Sequence, residues 1–138
     1  MINREALVNA GLLVLRVGIG VIFIFHGLPK LMGGVETWTQ LGSTMSVMGI
    51  TFAPAFWGFM AAAAEVGGGL FIIFGLLHRL VALMLIFTMV VALLVHVSAG
   101  DPFAVYSNAL KALVVFVAFA ISGPGIYSLD YKFFRRIA

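Results

Sequence analysis

The chain has 138 residues, enough for a single domain, and a formal net charge of +3. Its residues are 63% hydrophobic and 9% charged, whereas soluble proteins average about 45–50% and about 25%. A fold of this size cannot hide so much apolar surface from water, so the composition predicts an integral membrane protein. The net charge comes from a few residues near the ends of the apolar segments, so it does not suggest a nucleic-acid partner. The absence of cysteine excludes disulfides and iron–sulfur ligation within the chain.

Four apolar segments approach the length of about 20 residues that crosses a bilayer. They cover about residues 6–26, 54–77, 79–97 and 104–122. We expect all four to be helical, because in hydrocarbon only a helix satisfies its own backbone groups locally. The predicted fold is therefore all-α: one domain over residues 1–138, built as a bundle of four transmembrane helices.

The breaks between these segments have recognisable chemistry. Pro29 is expected to end or kink the first helix. The very short turn at His78-Arg79 makes the second and third helices antiparallel neighbours. Gly123, Pro124 and Gly125 are predicted structural residues that stop the fourth helix.

Two further segments have an interfacial character. Residues 35–48 carry apolar side chains at three- and four-residue spacing, which predicts a short interfacial helix in the first outer loop. Residues 127–138 mix aromatic and basic side chains, which indicates a basic interfacial tail among the lipid headgroups.

The distribution of Lys and Arg predicts the orientation. One side of the membrane would hold Arg4, Arg79, Lys132, Arg135 and Arg136, and the other would hold Lys30 and Lys111. Because basic residues concentrate on the cytoplasmic side, both termini are predicted to be cytoplasmic.

Two ionisable residues fall near the middle of predicted spans. Arg16 lies in the first and Glu65 in the second, and each would cost about 3 kcal/mol if it faced lipid. We expect them to face inward and pair, either as a structural ion pair that fixes helix register or as a proton-handling or ligand-orienting site. The small residues after Glu65 have a predicted structural role in close helix packing, and leaving room for a ligand is the alternative. These residues are Gly67, Gly68 and Gly69.

A second polar group is predicted near the outer face, around one outward-facing pocket with Glu65 at its floor, while the inner side carries only basic residues. The candidate catalytic residues are Glu65, His26 and His96. The candidate ligand-binding residues are Arg16, Lys30, Asn108 and Lys111.

The sequence gives little indication of a site for haem, a metal ion, a flavin or a nucleotide. Haem between His26 and His96 is physically reasonable but disfavoured, because the second helix offers only Glu65 and there is no second histidine pair. No metal site is predicted, because no third ligand stands at helical spacing from either histidine. The chain also has no flavin or nucleotide motif.

Several of these residues together resemble the DoxX family. The resemblance rests on Arg16, His26-Gly27, Lys30, Glu65 with its glycines, His96, Asn108, Lys111 and Gly123-Pro124-Gly125, in that order. It implies a small bacterial inner-membrane protein of four helices with a link to quinone chemistry. Fold-level analogy does not establish a reaction.

Three functions are compatible with the sequence. The first is a quinone-interacting component of an oxidoreductase or of an oxidative-stress or detoxification system. In that case His26, Lys30 or His96 would contact the quinone and Glu65 would exchange a proton. The second is a small-molecule or anion transporter or ligand-binding membrane protein. The third is a membrane scaffold that recruits soluble redox partner proteins. Activity as an enzyme on its own and assembly into a homo-oligomer are left open.

Overall fold

The structure, a computed structural model, describes residues 3–134. Its helices are α1 (Arg4–Met32), α2 (Gly34–Ser43), α3 (Pro54–Phe74), α4 (His78–Ser98), α5 (Phe103–Ser122) and α6 (Leu129–Phe133). A 3-10 segment, Thr44–Met48, follows α2 directly. Helices α1, α3, α4 and α5 are long and apolar enough to span a membrane, which confirms the predicted four-helix membrane fold. The predicted tail residues Arg135 and Arg136 lie outside the described residues.

The four long helices pack in an up-and-down order around one apolar core. Helix α1 lies along α3, and α4 lies along both α3 and α5. Phe23 of α1 meets Phe116 of α5 edge to face, with ring centroids 4.8 Å apart. The buried core residues are Phe23, Ile72, Val81, Ala82, Leu85, Met89, Ala112, Phe116 and Phe119.

Helix α1 does not end at Pro29 but continues to Met32. Past its end, the indole N–H of Trp38 reaches back and donates to the carbonyls of Lys30 and Leu31, at 3.1 and 3.2 Å. Carbonyls in the last turn of a helix have no partner within the helix, so this contact caps α1. The backbone at Lys30 is thereby held just before the chain turns at Gly34, whose φ is +76°.

Helix α2 packs lengthwise and antiparallel against the start of α3. A Cβ at Gly42 would overlap the carbonyl of Pro54, and a Cβ at Gly58 would overlap the carbonyl of Trp38. The two backbones therefore touch over about one turn, which only glycine permits. The predicted short helix therefore exists. Like α1, it runs antiparallel to α3.

The glycines after Glu65 differ in what they contact. A Cβ at Gly69 would lie 2.7 Å from the carbonyl oxygen of Gly20, so this position brings α1 and α3 together. A Cβ at Gly67 would meet nothing within 4 Å. The close packing predicted for this group thus applies to Gly69 and not to Gly67.

Replacing Gly58 by Ala is expected to destabilise the protein by about 2 kcal/mol, because the added methyl group forces α2 away from α3. Gly67→Ala, also within α3, is the matched control and should cost nothing, since its methyl group enters open space. Unfolding in mixed micelles measures both. Equal stability of the two variants would contradict the close backbone contact.

Candidate functional site

A buried ion pair joins α1 to the middle of α3. The ammonium nitrogen of Lys30 lies 2.8 Å from Oε1 and 2.7 Å from Oε2 of Glu65. The side chain of Glu65 is 5% exposed and that of Lys30 is 30% exposed. The carboxylate is therefore neutralised within the protein, while the lysine keeps one side open.

The predicted pairing of Arg16 with Glu65 is wrong. Glu65 packs against Gly27, where a Cβ would come within 2.7 Å of the Glu65 Cβ. Eleven residues separate Arg16 from Gly27 on α1, which is about 16 Å along a helix. Lys30 lies only one turn beyond Gly27, so its flexible side chain reaches the carboxylate that Arg16 cannot.

A cavity of about 550 Å³ adjoins this ion pair, between α2, the 3-10 segment, α3 and α4. Most of its wall is apolar. The principal apolar residues are Leu41, Met45, Phe56, Met60, Met84, Phe87, Val91 and Val95. Phe56 and Phe87 are about half exposed at the surface of the bundle. These two residues therefore connect the cavity wall with the outer surface of the helix bundle.

The cavity wall holds a few polar groups. His96 is one, and its Nδ1 lies 2.6 Å from Oδ2 of Asp101. Thr44 and Thr88 donate their hydroxyl protons to backbone carbonyls of their own helical turns. Trp57 also lines the wall. The sequence reasoning missed Asp101 and Trp57; the position of Asp101 five residues after His96, just beyond a helix end, was a usable signal for the first.

The structure brings only some of the predicted site residues together. Lys30, Glu65 and His96 line the same cavity. His26, Asn108 and Lys111 are exposed on the helix surfaces and are not part of its wall. The single pocket expected to gather Glu65 with His26, Lys30, His96, Asn108 and Lys111 is therefore wrong in extent, because three of these residues lie on exposed helix surfaces outside the cavity.

Arg16 belongs to a second polar cluster at the opposite end of the bundle. Its guanidinium donates to the carbonyls of Ile73 at 3.0 Å, Tyr127 at 2.8 Å, and Pro124. The carboxamide oxygen of Asn9 accepts from the backbone N–H of Ile126 at 2.9 Å. These bonds fasten the segment after α5 to α1, so both ends of the described chain lie at the same end of the bundle.

Asp130 completes this cluster and was not predicted. Its two carboxylate oxygens accept from the backbone N–H groups of Leu77 and His78, at 2.7 and 2.8 Å. The first N–H groups of a helix have no partner within it and favour a negative charge. Asp130 thus caps α4 from 52 residues away. The sequence did indicate that α4 needs a cap from elsewhere, because the side chain of Leu77, just before α4, has no hydrogen-bond acceptor. The end of the bundle that was expected to be merely basic therefore contains a buried polar network.

Comparison with known proteins places this architecture in a family. The DoxX family model matches residues 11–97. The chain belongs to the DoxX family. The matched region contains every residue that lines the cavity between α3 and α4. The residues after α5 that belong to the Arg16 cluster all lie outside the matched region.

The chain also resembles curated DoxX-like proteins over most of its length. It is 37% identical over 133 residues to "Inner membrane protein YqjF" of Escherichia coli (strain K12), covering 91% of this chain and 94% of that protein. It is 31% identical over 128 residues to "Putative oxidoreductase CatD" of Bacillus subtilis (strain 168), covering 91% and 88%. Identity to "Inner membrane protein YphA" of Escherichia coli (strain K12) is 29%, covering 88% and 89%. No solved structure matches significantly.

Proposed function

We propose that this DoxX protein binds a quinone in the cavity between α3 and α4 and serves as a quinone-interacting component of an oxidoreductase or detoxification system. The observation that carries the proposal is an apolar cavity, at the end of the bundle opposite to the Arg16 cluster, that has one buried ion pair and one histidine in its wall. A relative named as a putative oxidoreductase adds weak support.

The size and opening of the cavity suit a lipid-soluble ring. Small-molecule sites typically enclose about 300–1,000 Å³ and are mostly apolar with a few polar groups, and this one encloses about 550 Å³. Phe56 and Phe87 belong to the cavity wall and are half exposed, so we expect the cavity to open beside them onto the lipid-covered surface. A quinone dissolved in the bilayer would enter there without crossing water.

The polar groups in the wall could do what a quinone ring requires, which is to donate hydrogen bonds to its oxygens and to exchange a proton. An ammonium has three N–H donors, and Lys30 directs two toward Glu65, so the third is available for a ring oxygen. His96, held through Nδ1 by Asp101, has its other ring nitrogen for the same purpose. Glu65 would hold or move a proton. The bound quinone would supply the redox chemistry.

The alternative of an anion transporter finds less support. Its expected attractors were Arg16 and Lys111. Arg16 is occupied by backbone carbonyls at the other end of the bundle, and Lys111 is exposed on α5 away from the cavity. We also propose that the protein lies in the inner membrane with both termini in the cytoplasm, as the distribution of Lys and Arg predicts.

Titration of the purified protein in nanodiscs with short-chain ubiquinone and menaquinone analogues tests the proposal. We expect binding to weaken at least about tenfold when Lys30→Met and Glu65→Leu are combined, because the ring loses its polar partners, a loss of about 1.4 kcal/mol. The double change leaves no unpaired charge, so the fold is retained. A photoreactive quinone should label the wall residues of α3 and α4.

The matched control is Glu36→Gln, which removes an exposed carboxylate from α2 outside the cavity and should leave quinone affinity unchanged. Failure of both analogues to bind the native protein, or equal affinity in the double variant, would overturn the proposal.

A further inference from the structure

The imidazole of His96 and the carboxylate of Asp101 form a hydrogen-bonded pair beside the cavity. Nδ1 of His96 lies 2.6 Å from Oδ2 of Asp101. The imidazole lines the cavity, whereas Asp101 does not, so the edge of the ring that lines the wall is the one turned away from Asp101. That edge carries Nε2, which makes no hydrogen bond within residues 3–134 and is not closed off by them. Nε2 is therefore the ring nitrogen that a molecule in the cavity can reach.

The turn after α4 holds Asp101 against His96. The N–H of Gly100 donates to the carbonyl of Val97 at 3.1 Å, and the N–H of Asp101 donates to the carbonyl of His96 at 3.0 Å. Gly100 has a φ of +75°, the left-handed conformation that this kind of helix end requires. The residue after such a glycine commonly makes an apolar contact with the last helical turn, but here a carboxylate meets an imidazole. The backbone therefore fixes this pairing.

The carboxylate decides which nitrogen of the imidazole carries a hydrogen. An ionised carboxylate only accepts hydrogen bonds, so Nδ1 of His96 has to carry a hydrogen in order to bond to Asp101. In the neutral ring Nε2 then has no hydrogen and accepts, whereas in the imidazolium both nitrogens donate. The two side chains are 38% and 36% exposed, so the ring can exchange this proton with its surroundings. Loss of the proton changes what His96 presents to the cavity from a donor to an acceptor.

The other ionisable groups near this pair belong to elements packed around α4. Lys30 of α1 and Glu65 of α3 line the cavity, and they are paired with each other at 2.7 Å. Helix α5, which packs against α4, has Tyr106 and Lys111 as its ionisable residues, and neither lines the cavity. A pH effect that disappears when the carboxylate of the histidine pair alone is altered therefore comes from that pair.

We infer that Asp101 is a positioning residue whose hydrogen bond to Nδ1 makes His96 distinguish a quinone from its quinol. The inference rests on the proposed function and deepens it. A quinone carbonyl only accepts hydrogen bonds, so it pairs with the imidazolium and finds no donor in the neutral ring. A quinol hydroxyl both donates and accepts, so it bonds to either form. Raising the pH therefore weakens the binding of the quinone selectively.

Binding of a short-chain ubiquinone and of its quinol to the native protein in nanodiscs, between about pH 5.5 and about pH 8.5, tests this inference. We expect the affinity for the quinone to fall about tenfold over this range, the effect of one lost hydrogen bond. The affinity for the quinol should change by about twofold or less, because its hydroxyl still has a partner.

Asp101→Asn should make the affinity for the quinone nearly independent of pH. The amide of Asn can donate to Nδ1, which leaves the hydrogen of the neutral ring on Nε2, where it donates to the quinone. The turn uses only the backbone of this residue, so the fold is retained. The matched control is Glu36→Gln, the same change from acid to amide at an exposed residue of α2 outside the cavity, and it should keep the native pH dependence.

The ring nitrogens of His96 in ¹⁵N-histidine-labelled protein provide a second readout, with His96→Phe to identify their signals. We expect the neutral ring to carry its hydrogen on Nδ1 in the native protein and on Nε2 in Asp101→Asn. An equal response of quinone and quinol to pH, or a native pH dependence in Asp101→Asn, overturns the role of Asp101 and leaves the proposed function standing. Failure of both ligands to bind the native protein overturns the proposed function and this inference together.

Discussion

Replacing Lys30 by Met is expected to lower the free energy of unfolding by about 3 kcal/mol. The change leaves the carboxylate of Glu65, which is 5% exposed, without its ammonium partner in an apolar site. Removing one member of a buried ion pair typically costs about 3–5 kcal/mol, mainly because the other charge stays buried. We choose the low end because Lys30 itself is 30% exposed. Unfolding in mixed detergent micelles measures the effect.

Adding Glu65→Leu to Lys30→Met should restore most of this stability, since no buried charge then remains. Lys111→Met is the matched control, because Lys111 is exposed on α5, and it should leave stability unchanged. If Lys30→Met and the double variant were equally unstable, the loss would come from packing, and the two side chains would not be coupled as an ion pair.

The four spanning helices could be predicted because the bilayer leaves so little choice. A run of about 20 apolar residues has to be helical there, and the short connections between runs make successive helices antiparallel. Helix ends were less predictable. Pro29 lies inside α1 because the freed backbone and the last-turn carbonyls are accommodated locally, with Trp38 as a cap.

The partner of Glu65 could not be predicted from depth alone. Arg16 and Glu65 both lie near the middle of apolar runs, but the helices are displaced along their axes so that Glu65 faces Gly27. Backbone contacts between glycines such as Gly20 and Gly69 set that displacement. The pattern of hydrophobic residues does not predict it. The long side chain of Lys30 then decided the pairing.

Contacts between distant segments were also hidden from the sequence. Asp130 looked like part of a surface tail, yet it caps α4. Trp57 was not singled out in the sequence, yet it lines a cavity. Both roles depend on which helices meet, so only the assembled fold shows them. His96 was singled out because a second histidine, His26, was expected at the same level of the bundle.

Replacing Arg16 by Met is expected to release the segment after α5 and to destabilise the protein by about 3 kcal/mol. Hydrogen bonds from a charged donor contribute about 1.5–3 kcal/mol each, and Arg16 makes them to Ile73, Pro124 and Tyr127 at once. The variant leaves all three carbonyls without this donor. Amide hydrogen exchange should accelerate at Ile126, whose N–H bonds to Asn9, while amides in the middle of α4 keep their protection.

Arg79→Met is the matched control, because Arg79 is exposed in the first turn of α4, and exchange at Ile126 should stay slow in that variant. Arg16→Lys should recover only part of the stability, since an ammonium lacks the planar fork that reaches carbonyls on both α3 and the final segment. Full recovery by Lys would mean that the positive charge alone matters. Unchanged exchange in Arg16→Met would mean that the final segment is held by its apolar contacts, and the role assigned to Arg16 would be wrong.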